Sequence, residues 1–244
     1  LVLTLFPEMG RDLINSLLTV VEMEGNFPIG YRLARGYDRF AHQASGLAHV
    51  VIADAFHRQI PGIDWERAVT LMWKDMGRAY GEAFLQDGLA HPITHTLDLA
   101  YACFCTATIA RGIGDEAIAT KMEALAGRWR NAFAADGELL DSTYYEGTKW
   151  NYAYRLLHDM PGRIALAGGE AAFIAELDRF FGYGAGPVRQ PGVAPSREEM
   201  AAGAALGRFE GLNNEPDMEA PYAYIFAGRH DLTCEVVRAG MGLF

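Results

Sequence analysis

The sequence has few cysteines and no long run of apolar residues. Its three cysteines cannot form the paired framework of a disulfide-dense domain, so buried free thiols are expected for all three. The longest apolar runs, Leu97–Ala110 and Leu47–Ala55, are too short and too interrupted to cross a bilayer. A small disulfide-stapled protein is therefore excluded, and no transmembrane helix is expected.

Positive charge is also scarce. Lys and Arg number 21 against 31 Asp and Glu, which gives a formal net charge of −10. The sequence contains no run of like charges and no low-complexity segment. An acidic surface repels phosphate backbones, so nucleic acid is not expected as a partner.

Several signatures of catalysis are missing from the sequence. It has no G-x-S-x-G elbow, no catalytic-cysteine signature, no H-E-x-x-H, no C-x-x-C and no phosphate-binding glycine loop. His49 and His57 are interpreted as core or rim histidines. His91 and His95 flank Pro92 without a nearby acidic partner, so a zinc pair is not expected.

The chain reads as a succession of helices. Nearly all-apolar segments alternate with amphipathic ones, joined by short Gly/Pro turns, and a helix that is apolar all round must be covered on every side. The segments expected to be helical are Pro7–Glu24, Leu47–Phe56, a helix capped by Asp64 that runs to Phe84, Thr96–Arg111, a helix capped by Asp115 that runs through Arg130, and Ala171–Phe181. Gly25–Ala44 is interpreted as a long ordered loop. Stacked helical hairpins explain this order, and the absence of a repeat of fixed period favours an all-α, α/α-toroid fold over a solenoid.

The segment Asp141–Asp159, with the sequence DSTYYEGTKWNYAYRLLHD, is the most informative part of the chain. If a helix starts near Gly147, then Trp150, Tyr154 and His158 share one face. Aromatic rings that cover sugar C–H faces, with polar tips for the hydroxyls, suit a saccharide pocket. A core helix that happens to be aromatic explains these residues equally well.

A second polar cluster lies nearer the C-terminus. Its six oxygen-bearing side chains precede the aromatic residues Tyr222, Tyr224 and Phe226, and they are Glu210, Asn213, Asn214, Glu215, Asp217 and Glu219. Carboxylate and amide oxygens are the ligands that Ca²⁺ prefers. An acidic helix start that complements the helix dipole is the alternative.

Three long motifs carry a resemblance to a known family. YYEGTKWNYAYRLLHDMPG, then IALAGGEAAFIAELDRFFG, then NNEPDMEAPYAYIFAGR resemble glycoside hydrolase family 92, the calcium-dependent exo-α-mannosidases. That family has an E-G-N-x-W-x-Y motif followed by H-D, then a G-G before a helix, then an N-E-P turn. Here Thr148 replaces the usual Asn, and Asn213 replaces the usual Gly.

The resemblance implies the roles of individual residues. Glu146 takes the place of the general acid, and Asn214 with Glu215 falls in the calcium region. The side chains expected to bind substrate are Tyr145, Trp150, Tyr152, His158, Asp159 and Asn213. Calcium would chelate two neighbouring hydroxyls of a mannose residue in a glycan substrate.

The family's reaction inverts the anomeric centre, which needs a base separate from the acid. The resemblance places that base in a G-N-D-D motif, which the sequence does not contain. Residues 1–244 are therefore expected to form one incomplete toroid of the catalytic domain, without the family's β-sandwich domain. An α-1,2-mannosidase in a secreted or cell-envelope location is the corresponding expectation.

Two other functions remain open on the sequence. A different toroid enzyme, such as a lyase, could use Tyr144, Tyr152 and His158. A non-catalytic helical domain that binds glycans is the third hypothesis.

Overall fold

The structure is a computed structural model that describes residues 1–28, 30–32, 36–38, 46–78, 80–144, 149–181 and 218–241. The helices are α1 Val2–Leu5, α2 Pro7–Glu24, α3 Leu47–His57, α4 Trp65–Asp75, α5 Gly81–Asp87, α6 Thr94–Gly112, α7 Glu116–Ala126, α8 Lys149–Tyr152, α9 Met160–Leu166, α10 Glu170–Phe180, α11 Ala223–Phe226 and α12 His230–Met241. Short 3₁₀ helices span Gly127–Ala132 and Ala220–Tyr222. In the described ranges, extended structure is limited to strands β1 Gly30–Arg32 and β2 Gly36–Asp38 and one bridge between Phe133 and Leu139. The expectation of a helical fold is confirmed.

The chain divides into two compact units, Leu1–Ala132 and Phe133–Phe244. Helix α6 lies at the centre of the first unit and packs against α3, α4, α5 and α7. Its buried residues occur on all sides of the helix, from Leu97 to Ala110. Since α4 and α7 each bury one face and expose the other, the predicted alternation of covered and amphipathic helices is confirmed in this unit.

Both predicted aspartate caps are present. The Asp64 carboxylate accepts a hydrogen bond from the backbone N–H of Arg67, and Asp115 accepts one from that of Ile118, each at 3.0 Å. Each bond satisfies a backbone donor that the first turn of a helix leaves open. Each aspartate therefore fixes where its helix begins.

The helix expected from Asp64 to Phe84 is in fact two helices. Helix α4 ends at Asp75, a turn follows, and α5 begins at Gly81. A Cβ on Gly81 would lie 1.9 Å from the carbonyl oxygen of Met76, so the chain folds back on itself tightly there. The apolar periodicity continues through the turn, which is why it did not reveal the break.

Part of the segment expected to be a loop, Gly25–Ala44, is an antiparallel hairpin. Strands β1 and β2 pair with Tyr31 opposite Tyr37. Just before the hairpin, the buried side chain of Asp75 accepts a hydrogen bond from the backbone N–H of Phe27 at 2.7 Å. The guanidinium of Arg78 donates to the Phe27 carbonyl oxygen at 3.3 Å and also pairs with Asp75. An internal ion pair thus holds the chain that leads into the hairpin.

The second unit packs α9, α10 and α11 together, with α12 against α11. Phe173, Leu177 and Phe180 of α10 are fully buried. The Tyr224 hydroxyl, also buried, lies 2.8 Å from a carboxylate oxygen of Asp178. The Tyr224 ring also stacks on that of Phe181, the residue that caps the C-terminal end of α10.

Two further expectations concern the thiols and the bilayer. Cys103 and Cys105 are buried free thiols as expected, but Cys234 is exposed, because it lies on the outer face of α12. None of the described helices is both long and apolar enough to cross a membrane.

Candidate functional site

The structure describes four of the nine residues singled out from the sequence for substrate, acid or metal roles. Trp150, Tyr152, His158 and Asp159 lie in the region from α8 to the start of α9. The other five lie outside the described residues and are Tyr145, Glu146, Asn213, Asn214 and Glu215.

The predicted helical face of Trp150, Tyr154 and His158 is wrong. Helix α8 ends at Tyr152, and turns replace the helix up to Asp159. Tyr154 is buried against the rings of Phe173 and Phe180, at centroid distances of 6.0 and 5.3 Å. Tyr154 thus belongs to the core of the second unit. The alternative interpretation of the motif, that its aromatic residues pack in the core, is therefore correct for Tyr154.

Tyr152 is also buried, and it packs against Tyr144. The two rings stack with centroids 5.5 Å apart, and the Arg155 guanidinium lies 5.6 Å from the Tyr152 ring. The Tyr144 hydroxyl donates to the Leu140 carbonyl at 2.8 Å. Burial, with a smaller effect of Asp141, raises the pKa of Tyr144 to about 12. The hydroxyl therefore stays protonated and serves as the donor to Leu140.

Asp159 has a structural task at the start of α9. Its carboxylate accepts a hydrogen bond from the Gly162 backbone N–H at 3.0 Å, and Pro161 occupies the first turn. His158, half-buried, is in the turn just before this cap. The cap thus fixes the backbone that carries His158, and Asp159 positions its neighbour.

Trp150 lines a pocket of about 90 Å³ in the second unit. The pocket is formed by the turn between the bridged residues Phe133 and Leu139, by α8, and by one side each of α9 and α10. Its lining residues are Asp136, Gly137, Glu138, Leu139, Lys149, Trp150, Ala153, Arg163, Glu176 and Arg179. Trp150 and Tyr152 are two residues apart, about 200° around a helix, so they face different surroundings. Trp150 therefore belongs to this pocket and Tyr152 to the stack with Tyr144.

Arg163 is the residue of this pocket that sequence reasoning missed. Its side chain is 1% exposed, donates to the Ala153 carbonyl at 3.1 Å and pairs with Glu176 at 2.6 Å. The rings of Phe133, Tyr154 and Phe173 surround its guanidinium at 5.2 to 5.7 Å. The available signal was its place beside Met160 and Ile164 at helical spacing, which puts an arginine on a buried face.

Lys149, directly before Trp150, pairs with Glu138 at 2.6 Å. The hydrogen bond that Lys149 donates to the Glu138 carboxylate raises the pKa of Lys149, so the lysine stays charged. This pair ties α8 to the turn between the bridged residues Phe133 and Leu139. Lys149 is the first described residue after Glu146, so this ion pair is the described contact of α8 nearest to Glu146 along the chain.

One edge of the predicted calcium region lies among the described residues. Of the six oxygen-bearing side chains, the structure describes Glu219, whose carboxylate lies 3.6 Å from the Arg155 guanidinium. The described ranges contain no group of three or more His, Cys, Asp or Glu side chains that could hold a metal ion. Asn214 and Glu215 lie outside those ranges.

The sequence of the chain matches a known protein family. The model of the glycosyl hydrolase family 92 catalytic domain matches residues 1–243. The chain belongs to glycosyl hydrolase family 92. The resemblance found in the motifs is thereby confirmed, and the protein is a member of a family of glycosidases.

Solved structures of family 92 share the fold. An α-mannosidase from Bacteroides thetaiotaomicron matches with a TM-score of 0.76 at 20% identity, over 98% of this chain and 33% of that chain. A structure of that α-mannosidase with mannoimidazole matches with a TM-score of 0.71 at 19% identity, over 98% and 35%. An inverting mannosidase of the family from the same species matches with a TM-score of 0.69 at 22% identity, over 90% and 34%. At this level of identity the likeness concerns the fold.

Among curated proteins, a relative in Arthroderma benhamiae is named an uncharacterized secreted glycosidase. The alignment of 260 positions has 23% identity and covers 79% of this chain and 30% of the relative. The chain therefore spans about a third of the length of the proteins that it matches.

Proposed function

We propose that the complete polypeptide is an inverting, calcium-dependent exo-α-mannosidase that releases mannose from a glycan, with α-1,2-linked mannose as its substrate. The single observation that carries this proposal is the family match across the chain. In the proposal, Glu146 of the E-G motif is the general acid. The solved relatives named as α-mannosidases, one of them with mannoimidazole bound, support the choice of sugar.

In this proposal, residues 1–244 form part of one catalytic domain built as an α/α toroid. The alternation of covered and amphipathic helices in the first unit supports that architecture. The base of the G-N-D-D motif is supplied by another part of the polypeptide, and a β-sandwich domain completes the enzyme. A secreted or cell-envelope location is supported by the name of the fungal relative.

The chemistry assigned to this chain is proton donation. Glu146 protonates the leaving oxygen while a separate carboxylate activates water on the opposite face of the sugar. Substrate contacts come from Tyr145, Trp150, Tyr152, His158 and Asn213, and Asp159 contributes by fixing the turn that carries His158. Asn214 and Glu215 offer the hard oxygens that Ca²⁺ prefers, and bound calcium supplies a positive charge that orients the sugar hydroxyls.

Substitution of the proposed acid gives the decisive experiment. We expect Glu146→Gln to reduce turnover of a mannobiose by about 10²–10⁴-fold, since an alkoxide is a poor leaving group without protonation. Turnover of an aryl mannoside with an acidic phenol should fall far less. Steady-state rates on both substrates measure the difference.

Glu170→Gln, at an exposed position in the first turn of α10, is the matched control and should keep both rates. Equal losses on both substrates in Glu146→Gln would remove Glu146 from the acid role. Proton NMR of the first turnovers adds an independent check, because inversion of an α-mannoside releases β-mannose.

A further inference from the structure

The pocket beside Trp150 contains an incompletely satisfied buried cation. Arg163 Nε donates to Ala153 and Nη2 to Glu176, but Nη1 has no hydrogen-bond partner among the described residues. A buried donor without an acceptor is unfavourable, and native structures rarely leave one. Nη1 is itself screened from solvent, so Arg163 acts on the pocket that it lines through its charge and not as a free donor.

The charges around the pocket balance. Three basic side chains, Lys149, Arg163 and Arg179, face three acidic ones, Asp136, Glu138 and Glu176. Two of these combinations are already ion pairs at 2.6 Å, Lys149 with Glu138 and Arg163 with Glu176. Because the charges of these six side chains cancel, a charged ligand would gain little electrostatic binding energy in this pocket. A neutral ligand that both donates and accepts hydrogen bonds fits it better.

The shape of the pocket further restricts the class of ligand that it can bind. The half-buried Trp150 ring offers an apolar surface, and the exposed Asp136 and Arg179 place polar atoms where the pocket opens. A volume of about 90 Å³ accommodates the hydroxyls along one edge of a pyranose, while the ring itself can lie against the indole. Donors, acceptors and an aromatic surface together are the recognition chemistry of a neutral sugar.

We propose that this pocket is a saccharide subsite that binds a sugar residue of the glycan beyond the mannose that is released. The inference rests on the proposed function for its substrate. Trp150 follows Glu146 by four residues, and four residues of chain span at most about 14 Å. The acid and the pocket therefore lie within the reach of one short oligosaccharide.

The test compares two substrates in the complete polypeptide. Asp136→Asn combined with Arg179→Gln removes polar contacts at exposed positions, where the fold tolerates change. We expect kcat/KM on a mannotriose, relative to that on an aryl mannoside, to fall about threefold to tenfold, the range that one or two hydrogen bonds supply.

The control is Glu170→Gln combined with Arg238→Gln, an exposed acid and base of the same unit outside the pocket, which should keep the wild-type ratio. A double variant at Asp136 and Arg179 with an unchanged ratio would overturn the subsite.

If the wild type hydrolyses neither substrate, the proposed function fails. A titration with mannotriose, followed by tryptophan fluorescence, then tests the subsite by itself. Loss of a binding signal in the double variant supports the subsite, and absence of binding by the wild type overturns it.

Discussion

His49, with Asp75 and Arg78, shows how a single buried residue connects pH to stability in the first unit. His49 is 1% exposed, with Nε2 at 3.2 Å from the Met72 carbonyl oxygen and at 3.7 Å from an Asp75 carboxylate oxygen. Burial lowers the pKa of His49, and this effect outweighs the opposing attraction of Asp75. The folded protein therefore holds a neutral imidazole that donates from Nε2 to Met72, while Asp75 is paired with Arg78.

Stability should depend on pH through this residue. Because the folded pKa of His49 lies below its ordinary value near 6.5, the unfolded chain binds more protons as the pH falls. The contribution of His49 is complete above pH 6.5 and is lost below it, by at most about 1.4 kcal/mol per pH unit. Urea unfolding at several values between pH 7.5 and 5 measures the slope.

His49→Gln cannot take up a proton, so its stability should change less between pH 6.5 and 5 than that of the wild type. His57→Gln alters an exposed histidine at the end of the same helix and should retain the wild-type slope. Identical slopes in the wild type and His49→Gln would show that His49 is not the group responsible.

At the scale of elements, the turn between α4 and α5 determines how the first unit packs. Gly81 begins α5, and the main chain of Met76 lies directly against it. The obstacle to a side chain at Gly81 is backbone, which cannot move aside as a flexible side chain can. The break in the helix therefore depends on a glycine at this position.

We expect Gly81→Ala to destabilise the protein by about 1–3 kcal/mol, the usual cost of forcing extra atoms into a packed site. Chemical denaturation monitored by circular dichroism measures this difference. Gly127→Ala is the matched control, since nothing lies within 4 Å of the added Cβ and its backbone is right-handed helical. The control should be neutral or slightly stabilising. A Gly81→Ala variant as stable as the control would refute the close approach to Met76.

For the whole molecule, the calcium region proposed at Asn214 and Glu215 predicts a metal requirement. Exhaustive chelation with EGTA should abolish hydrolysis of mannosides by the complete polypeptide. Added Ca²⁺ should restore activity better than Mg²⁺, which prefers a smaller and more regular oxygen site. Residual rates after dialysis, with each ion titrated back, provide the measurement.

Glu215→Gln keeps the size of the side chain but removes a charge, so the concentration of Ca²⁺ needed for half-maximal activity should rise. Glu219→Gln offers a comparison, because Glu219 faces Arg155 and should have a smaller effect on that concentration. Full activity after exhaustive chelation would contradict the calcium proposal.

The sequence by itself determined the helical class, the two aspartate caps, the buried thiols of α6 and the family. These features depend on local patterns: periodicity reports which faces are covered, a cap needs only its first turn, and the long motifs keep their order along the chain. Tertiary structure decided where helices break and where side chains point. The end of α8 at Tyr152, the fold-back at Gly81 and the burial of Arg163 beside Glu176 all depend on contacts between residues distant along the chain. Periodicity assigned Trp150 and Tyr154 to one face, and the turn after Tyr152 sends Tyr154 into the core while Trp150 lines the pocket, because packing against α10 outweighs the local helical pattern.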